Sequence, residues 1–175
     1  MSSLLSSSPF TGELWDTPPK NTDSKQIHKL AAATAEIGEP AIAALNDRLD
    51  KYPEELEAVD YTGWTPLLWA ARYATPEVVQ LLVNKGANID YQDSYGNTAL
   101  ILTVRHPKKI DNCKVLLEAG ADLTIKDNSK NDAFFYARDK PEILDLLNNP
   151  YQIPDHIRYN IDKINDPEYY MNITL

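Results

Sequence analysis

The chain is 175 residues long and carries a formal charge of -9, with 26 Asp and Glu against 17 Lys and Arg. That length suits one domain or a short stack of repeats rather than two independent globular domains. The acidic balance opposes attraction to a phosphate backbone, so nucleic acid is not an expected partner, and a single cysteine, Cys113, excludes an intrachain disulfide framework or a thiolate zinc site.

Residues 1–23 are rich in Ser, Thr and Pro, include the pair Pro18 and Pro19, and read as a flexible N-terminal tail. The start, MSSLLSSSPF, has no basic leader and no apolar run of signal-peptide length, and no later segment reaches the length of a membrane span. The expectation is a soluble protein, cytoplasmic or otherwise intracellular, with no membrane partner. Delivery into a host cell by a specialised secretion system would leave no such leader. The triplet Asn172 to Thr174 would be a glycosylation acceptor only in a secreted protein.

From residue 24 the chain reads as helices in pairs. KQIHKLAAATAEI places Ile27, Leu30, Ala31 and Thr34 on one helical face. Gly38, Glu39 and Pro40 break that helix, and AIAALNDRLDKY supplies a second, with Ile42, Leu45 and Leu49 at helical spacing. The plan recurs from Asp60. Thr65 is a candidate N-cap and Pro66 a first helical residue for TPLLWAARY, with the helix ending near Ala74. Pro76 opens PEVVQLLVNKG, with an apolar face of Val78, Val79, Leu81 and Leu82 and a stop at Gly86.

DYTGWTPLLWAARY, beginning at Asp60, has weaker copies in DSYGNTALILTVRH, beginning at Asp93, and DNSKNDAFFYARD, beginning at Asp127. Recurrence at 33 and then 34 residues marks a structural repeat, since a catalytic loop is needed once. In the third repeat Thr98, Ala99 and Leu100 match Thr65, Pro66 and Leu67. CKVLLEAG forms the outer helix, Gly120 matches Gly86, and one residue is inserted near Pro107 to Asp111. The fourth repeat has Asp132, Ala133 and Phe134 at the cap, Lys130 in place of the turn glycine, and PEILDLLNN as its outer helix. After Pro150, Ile157, Ile161 and Ile164 share a helical stripe suited to a short helix that caps the last repeat. The last residues, DPEYYMNITL, hold Tyr170 two positions before Asn172, a weak phosphotyrosine-reader pattern.

The motif DxxGxTPLxxAA in Asp60 to Ala71, followed by VVxLLxxxGA in Val78 to Ala87, resembles an ankyrin repeat. So does DxxGxTAL with VLLEAGAD between Asp93 and Asp122. The resemblance covers residues 24–149 as repeats of about 24–59, 60–92, 93–126 and 127–149, with 150–175 as capping helix and tail. It implies an all-α solenoid of about four helix-turn-helix units with projecting β-turn tips. Leu68, Ile101 and Phe135 replace the histidine that usually follows TPL, which removes that residue's packing and hydrogen-bonding role.

The resemblance also implies a non-enzymatic protein-protein interaction module, an adaptor or inhibitor that holds a partner in a concave groove. Carried onto this chain, its surface positions are Tyr61, Thr62, Trp64, Arg72 and Tyr73. The third repeat adds Gln92, Ser94, Tyr95, Asn97, Arg105 and His106, and the fourth adds Lys126, Asn128, Ser129, Asn131, Arg138 and Asp139. Arg72, Arg105 and Arg138 are spaced by 33 and 33 and suggest a basic ladder for an acidic, partly apolar segment of another protein. As residues at helix ends they equally suit the carbonyl end of the helix dipole. Tyr61, Trp64, Tyr73 and Tyr95 are the large amphipathic anchors enriched at hot spots.

Cys113, beside Val115 and Leu116, reads as a buried structural thiol. His28, His106 and His156 lack metal-ligand spacing, and Trp69 reads as core. Asp60, Asp93 and Asp127 recur at turn starts, where Asp bonds local backbone N–H groups. With no phosphate loop and no nucleophile paired with a base, neither catalysis nor a cofactor is expected, and the chain alone is expected to be monomeric. Two narrower roles fit the same features: an ankyrin-repeat effector of an intracellular bacterial pathogen, and a regulatory subunit of an enzyme complex.

Overall fold

The computed structural model describes Ile27, His28, Leu30, Ala31 and residues 38–148. The expected N-terminal tail, Thr34 of the first helix, the capping helix, the C-terminal tyrosine motif and the glycosylation triplet all lie outside the described residues. Within them every regular element is helical, as the fold class requires, and no strand occurs. The described chain forms two compact units, one ending at Asn88 and one beginning at Ile89.

In the N-terminal unit, Ile27, Leu30 and Ala31 are helical and fully buried, one face of a helix. Helix α1 (Glu39–Lys51) begins directly after Gly38, so Glu39 and Pro40 start a helix rather than merely end one. Pro40 sits in the first turn, where its missing N–H has no intrahelical partner to lose. The buried face of α1 is Ala41, Leu45, Arg48 and Leu49, while Ile42 is only half-buried. The expected stripe is therefore rotated toward Arg48. The rotation is tolerated because the Arg48 guanidinium meets Glu55, on a 3-10 turn (Pro53–Glu57), through two bonds of 2.5 Å.

Helices α2 (Pro66–Tyr73) and α3 (Pro76–Asn84) pack against each other, and α3 also against α1. In the C-terminal unit, α4 (Ala99–Val104) packs on α5 (Ile110–Glu118) and on α6 (Ala133–Ala137), which packs on α7 (Pro141–Asn148). A 3-10 turn at Pro107–Lys109 takes up the inserted residue between α4 and α5. These helices have 5 to 9 residues. Isolated helices below about 12 residues are marginal in water, so their stability comes from packing. All six residues of α4 are buried accordingly.

Local chemistry sets where the inner helices begin. The Thr65 hydroxyl accepts the Leu68 N–H at 3.4 Å, Thr98 accepts that of Ile101 at 3.2 Å, and Asp132 accepts that of Phe135 at 2.9 Å. Each cap contributes about 1 kcal/mol.

Candidate functional site

The turn tips rest on one carboxylate each. Asp60 Oδ1 accepts the N–H groups of Thr62 and Trp64 at 2.8 and 3.0 Å. Asp93 does the same for Tyr95 and Asn97 at 2.8 and 2.8 Å, and Asp127 for Ser129 and Asn131 at 2.8 and 3.0 Å. The second oxygen is also used. Asp60 Oδ2 accepts from the Trp69 indole at 2.9 Å, Asp93 Oδ2 from the Asn97 amide at 3.0 Å, and Asp127 Oδ2 from the Tyr136 hydroxyl. In the second and fourth repeats that donor is an aromatic side chain nine residues after the aspartate.

On these anchored tips, Tyr61 is 85% and Tyr95 70% exposed, the two most exposed large apolar side chains described. Trp64 differs. It is half-buried and forms an aromatic cluster with Trp69 and Tyr73, with ring centroids 5.6 Å from Trp69 and 6.2 Å from Tyr73, and 5.1 Å between the latter two. The ring of His28 meets Trp69 edge-on, and its Nε2 lies 2.8 Å from the Trp64 carbonyl oxygen. Tyr73, 45% exposed, is the member of the cluster that faces solvent.

The three arginines do not form a strict ladder. Arg72 and Arg105 lie seven residues after their N-caps, Thr65 and Thr98, whereas Arg138 lies six after Asp132. The residue inserted between α4 and α5 moves the fourth tip by one, so equal sequence spacing yields unequal position, a rotation of about 100° on a helix. Each guanidinium lies over an aromatic ring: Arg72 over Tyr73 at 5.4 Å, Arg105 over Tyr136 at 5.0 Å and Arg138 over Phe135 at 4.2 Å. Each also sits in the last turn or at the C-cap of its helix, where a cation meets the carbonyl end of the dipole.

The remaining candidates divide by what they hold. Asn97 is buried and committed to Asp93, and its Oδ1 accepts from Arg105 at 3.2 Å. The Gln92 amide bonds the carbonyls of Gly96 and Lys126 at 2.8 and 3.1 Å, tying two successive tips together. Asn131 donates to the Tyr136 hydroxyl at 3.4 Å. His106 and Lys126 are half-buried, and Arg138 is exposed beside Asp139 at 3.6 Å. Among the described residues no group of His, Cys, Asp and Glu converges as a metal site. Cys113 is fully buried, and burial pushes its thiol up to about 12 despite a hydrogen bond with Thr103, which makes a thiolate nucleophile unavailable.

Residues 30–127 match the family described as ankyrin repeats, in three copies. The chain belongs to the ankyrin-repeat family. It is 37% identical over 102 residues to ankyrin repeat and SAM domain-containing protein 6 of Rattus norvegicus, a match covering 58% of this chain and 11% of that protein. It is 33% identical over 98 residues to an ankyrin repeat protein of Acanthamoeba polyphaga mimivirus, covering 52% of this chain and 59% of the viral one. It is also 34% identical over 70 residues to transient receptor potential cation channel subfamily A member 1 of Homo sapiens, covering 40% of this chain and 6% of the channel. The ankyrin-repeat chain thus spans less than two thirds of each of these relatives.

Ankyrin repeats are protein-protein interaction modules, and no described helix of this one is long and apolar enough to cross a membrane. Sequence reasoning missed two supports of its surface. The Arg48–Glu55 pair had one readable signal, an arginine on the same α1 face as Leu45 and Leu49. The His28 contact had none, since its partner lies 36 residues away.

Proposed function

We propose that this ankyrin-repeat chain is a non-enzymatic adaptor or inhibitor that takes another protein on the concave face built from its turn tips and inner helices. The observation that carries the reading is the pair Tyr61 and Tyr95, large amphipathic rings held 85% and 70% exposed on tips whose backbones are fixed by Asp60 and Asp93. A rigid, exposed aromatic ring gains contact area on binding with little conformational entropy to lose. Arg72 and Arg138 add cations for an acidic, partly apolar segment of the partner. Asn97 is buried, and Arg105, although exposed, is engaged by Asn97 and the Tyr136 ring, so both act as supports of the tips.

The test begins with the immobilised wild-type chain and a Tyr61→Ala/Tyr95→Ala variant, with proteins retained from lysate identified by mass spectrometry. The candidate partner is then purified and titrated against both chains by calorimetry. The double variant should unfold at the same temperature as wild type and bind at least about tenfold more weakly, the loss expected when hot-spot aromatics are truncated. Equal affinity for both chains would remove the tips from the binding surface. An Arg72→Glu/Arg138→Glu variant reads the cationic contribution, and its effect should shrink as salt rises.

A further inference from the structure

The exposed end of the fourth repeat carries a groove of about 340 Å³ between α6 and α7. Its floor is apolar, lined by Phe134, Phe135 and Leu144, and Lys130 and Arg138 stand at its edge as cations. Phe135 is 36% exposed there although it occupies the position that is fully buried in both preceding repeats, as Leu68 and Ile101. The position is covered in those repeats and uncovered in this one, and an apolar strip of that kind is left in contact with water unless something lies on it.

We infer that the occupant is the chain's own segment from Ile153 to Ile164, laid across this groove with Ile157, Ile161 and Ile164 facing Phe134, Phe135 and Leu144. Two features select it over a second copy or a foreign peptide. The first is reach: Leu144 is four residues from the end of α7 at Asn148, and the nine residues from there to Ile157 span up to about 30 Å when extended. Pro150 and Pro154 oppose continuation of α7 as one straight helix and so favour a reversal of the chain. The second is pattern: isoleucines at i, i+4 and i+7 make one apolar stripe, matched to an apolar floor. An intramolecular segment also has an effective concentration of order millimolar, which a free partner must exceed.

Arg138 and Asn131 line the same groove, so a docked segment covers both of them.

The experiment places the photoreactive analogue p-benzoylphenylalanine at Phe135 in the full chain, irradiates it at low micromolar concentration with no partner present, and maps the cross-link by mass spectrometry. A cross-link within one chain to residues 153–164 is expected, and it should be lost when Ile157, Ile161 and Ile164 are all changed to Asp. Because the analogue could disturb the groove, hydrogen exchange of the unmodified chain supplies the second readout. Amides of residues 133–146 should exchange at least about tenfold faster in the triple Asp variant than in wild type. Cross-links that form only between two chains and grow with concentration would overturn the inference in favour of a dimer contact. No cross-link together with unchanged exchange would overturn it outright.

Discussion

Arg105 lies over the ring of Tyr136 at 5.0 Å while its guanidinium donates to Asn97 at 3.2 Å, so one side chain joins the tip of the third repeat to the inner helix of the fourth. The Tyr136 hydroxyl in turn donates to Asp127, which holds the fourth tip. Burial, and then the donation to Asp127, push the Tyr136 hydroxyl above its ordinary value, so the donor proton stays in place at physiological pH. Arg105 is thereby a brace within the C-terminal unit. Arg105→Ala should lower stability by about 1 kcal/mol, the combined scale of a cation–π contact and one hydrogen bond. Arg138→Ala, whose ion pair is exposed, should stay within about 0.5 kcal/mol. Urea unfolding measures both, and a double-mutant cycle of Arg105→Ala with Tyr136→Leu should return a coupling of about 0.5–1 kcal/mol.

The Arg48–Glu55 pair is closed to water, with side chains 2% and 5% exposed. Removing one partner strands the other charge in the interior. Glu55→Ala should therefore destabilise by about 3–5 kcal/mol, whereas the combined Arg48→Met/Glu55→Leu change should cost far less, because no charge is left behind. A Glu55→Ala loss below about 1 kcal/mol would mean that water reaches the site.

Two turn positions offer opposite outcomes for one chemical idea. Lys130 has φ 65° at the place where Gly63 and Gly96 have 79° and 78°. Left-handed backbone is unfavourable for a residue with a Cβ, so Lys130→Gly should raise stability by about 0.5–1 kcal/mol after the glycine's entropic penalty. At Gly96 a Cβ would stand 2.8 Å from the Asn128 backbone nitrogen, whose N–H donates to the Tyr95 carbonyl at 2.9 Å. Gly96→Ala should cost more than about 2 kcal/mol, from φ strain and displacement of that bond together. Thermal unfolding of the two single variants should move in opposite directions.

The pH dependence contains two carboxylates of opposite sign. Burial alone would raise Asp60, but hydrogen bonds from Thr62, Trp64 and Trp69 outweigh it and hold the group below 3.8. Its contribution is present above 3.8 and is lost as pH falls through its folded value. Asp90 is raised above 3.8, by burial first and by the charge of Asp122 as well, against the Asp122 N–H that it accepts at 2.9 Å. Its contribution is full below 3.8 and is lost as pH rises through its folded value. Asp90→Asn, which keeps an acceptor for that N–H, should therefore stabilise the chain at pH 7 and lose its advantage below pH 3.8. Asp60→Asn should destabilise at pH 7, with the difference narrowing in acid. Melting temperatures recorded from pH 3 to 7 for the three chains check both signs.

What the sequence by itself determined is what is encoded within a few residues. Caps at Thr65, Thr98 and Asp132, the proline starts at Pro66 and Pro76, and the tip aspartates act on backbone groups two to four positions away, so a repeat can be read wherever the local pattern recurs. The family resemblance rests on the same local signals. Only the tertiary structure decided which side chains those repeats leave exposed and which they consume. Trp64 folds back on Trp69 and Tyr73, Asn97 is consumed by Asp93 and Arg105, and one inserted residue leaves Arg138 one position nearer its N-cap than Arg72 and Arg105 are to theirs. Gly96 is required by Asn128, and His28 by Trp64, through contacts 32 and 36 residues apart. Such contacts depend on how one repeat lies on the next, and packing across that distance leaves no periodic trace in the chain.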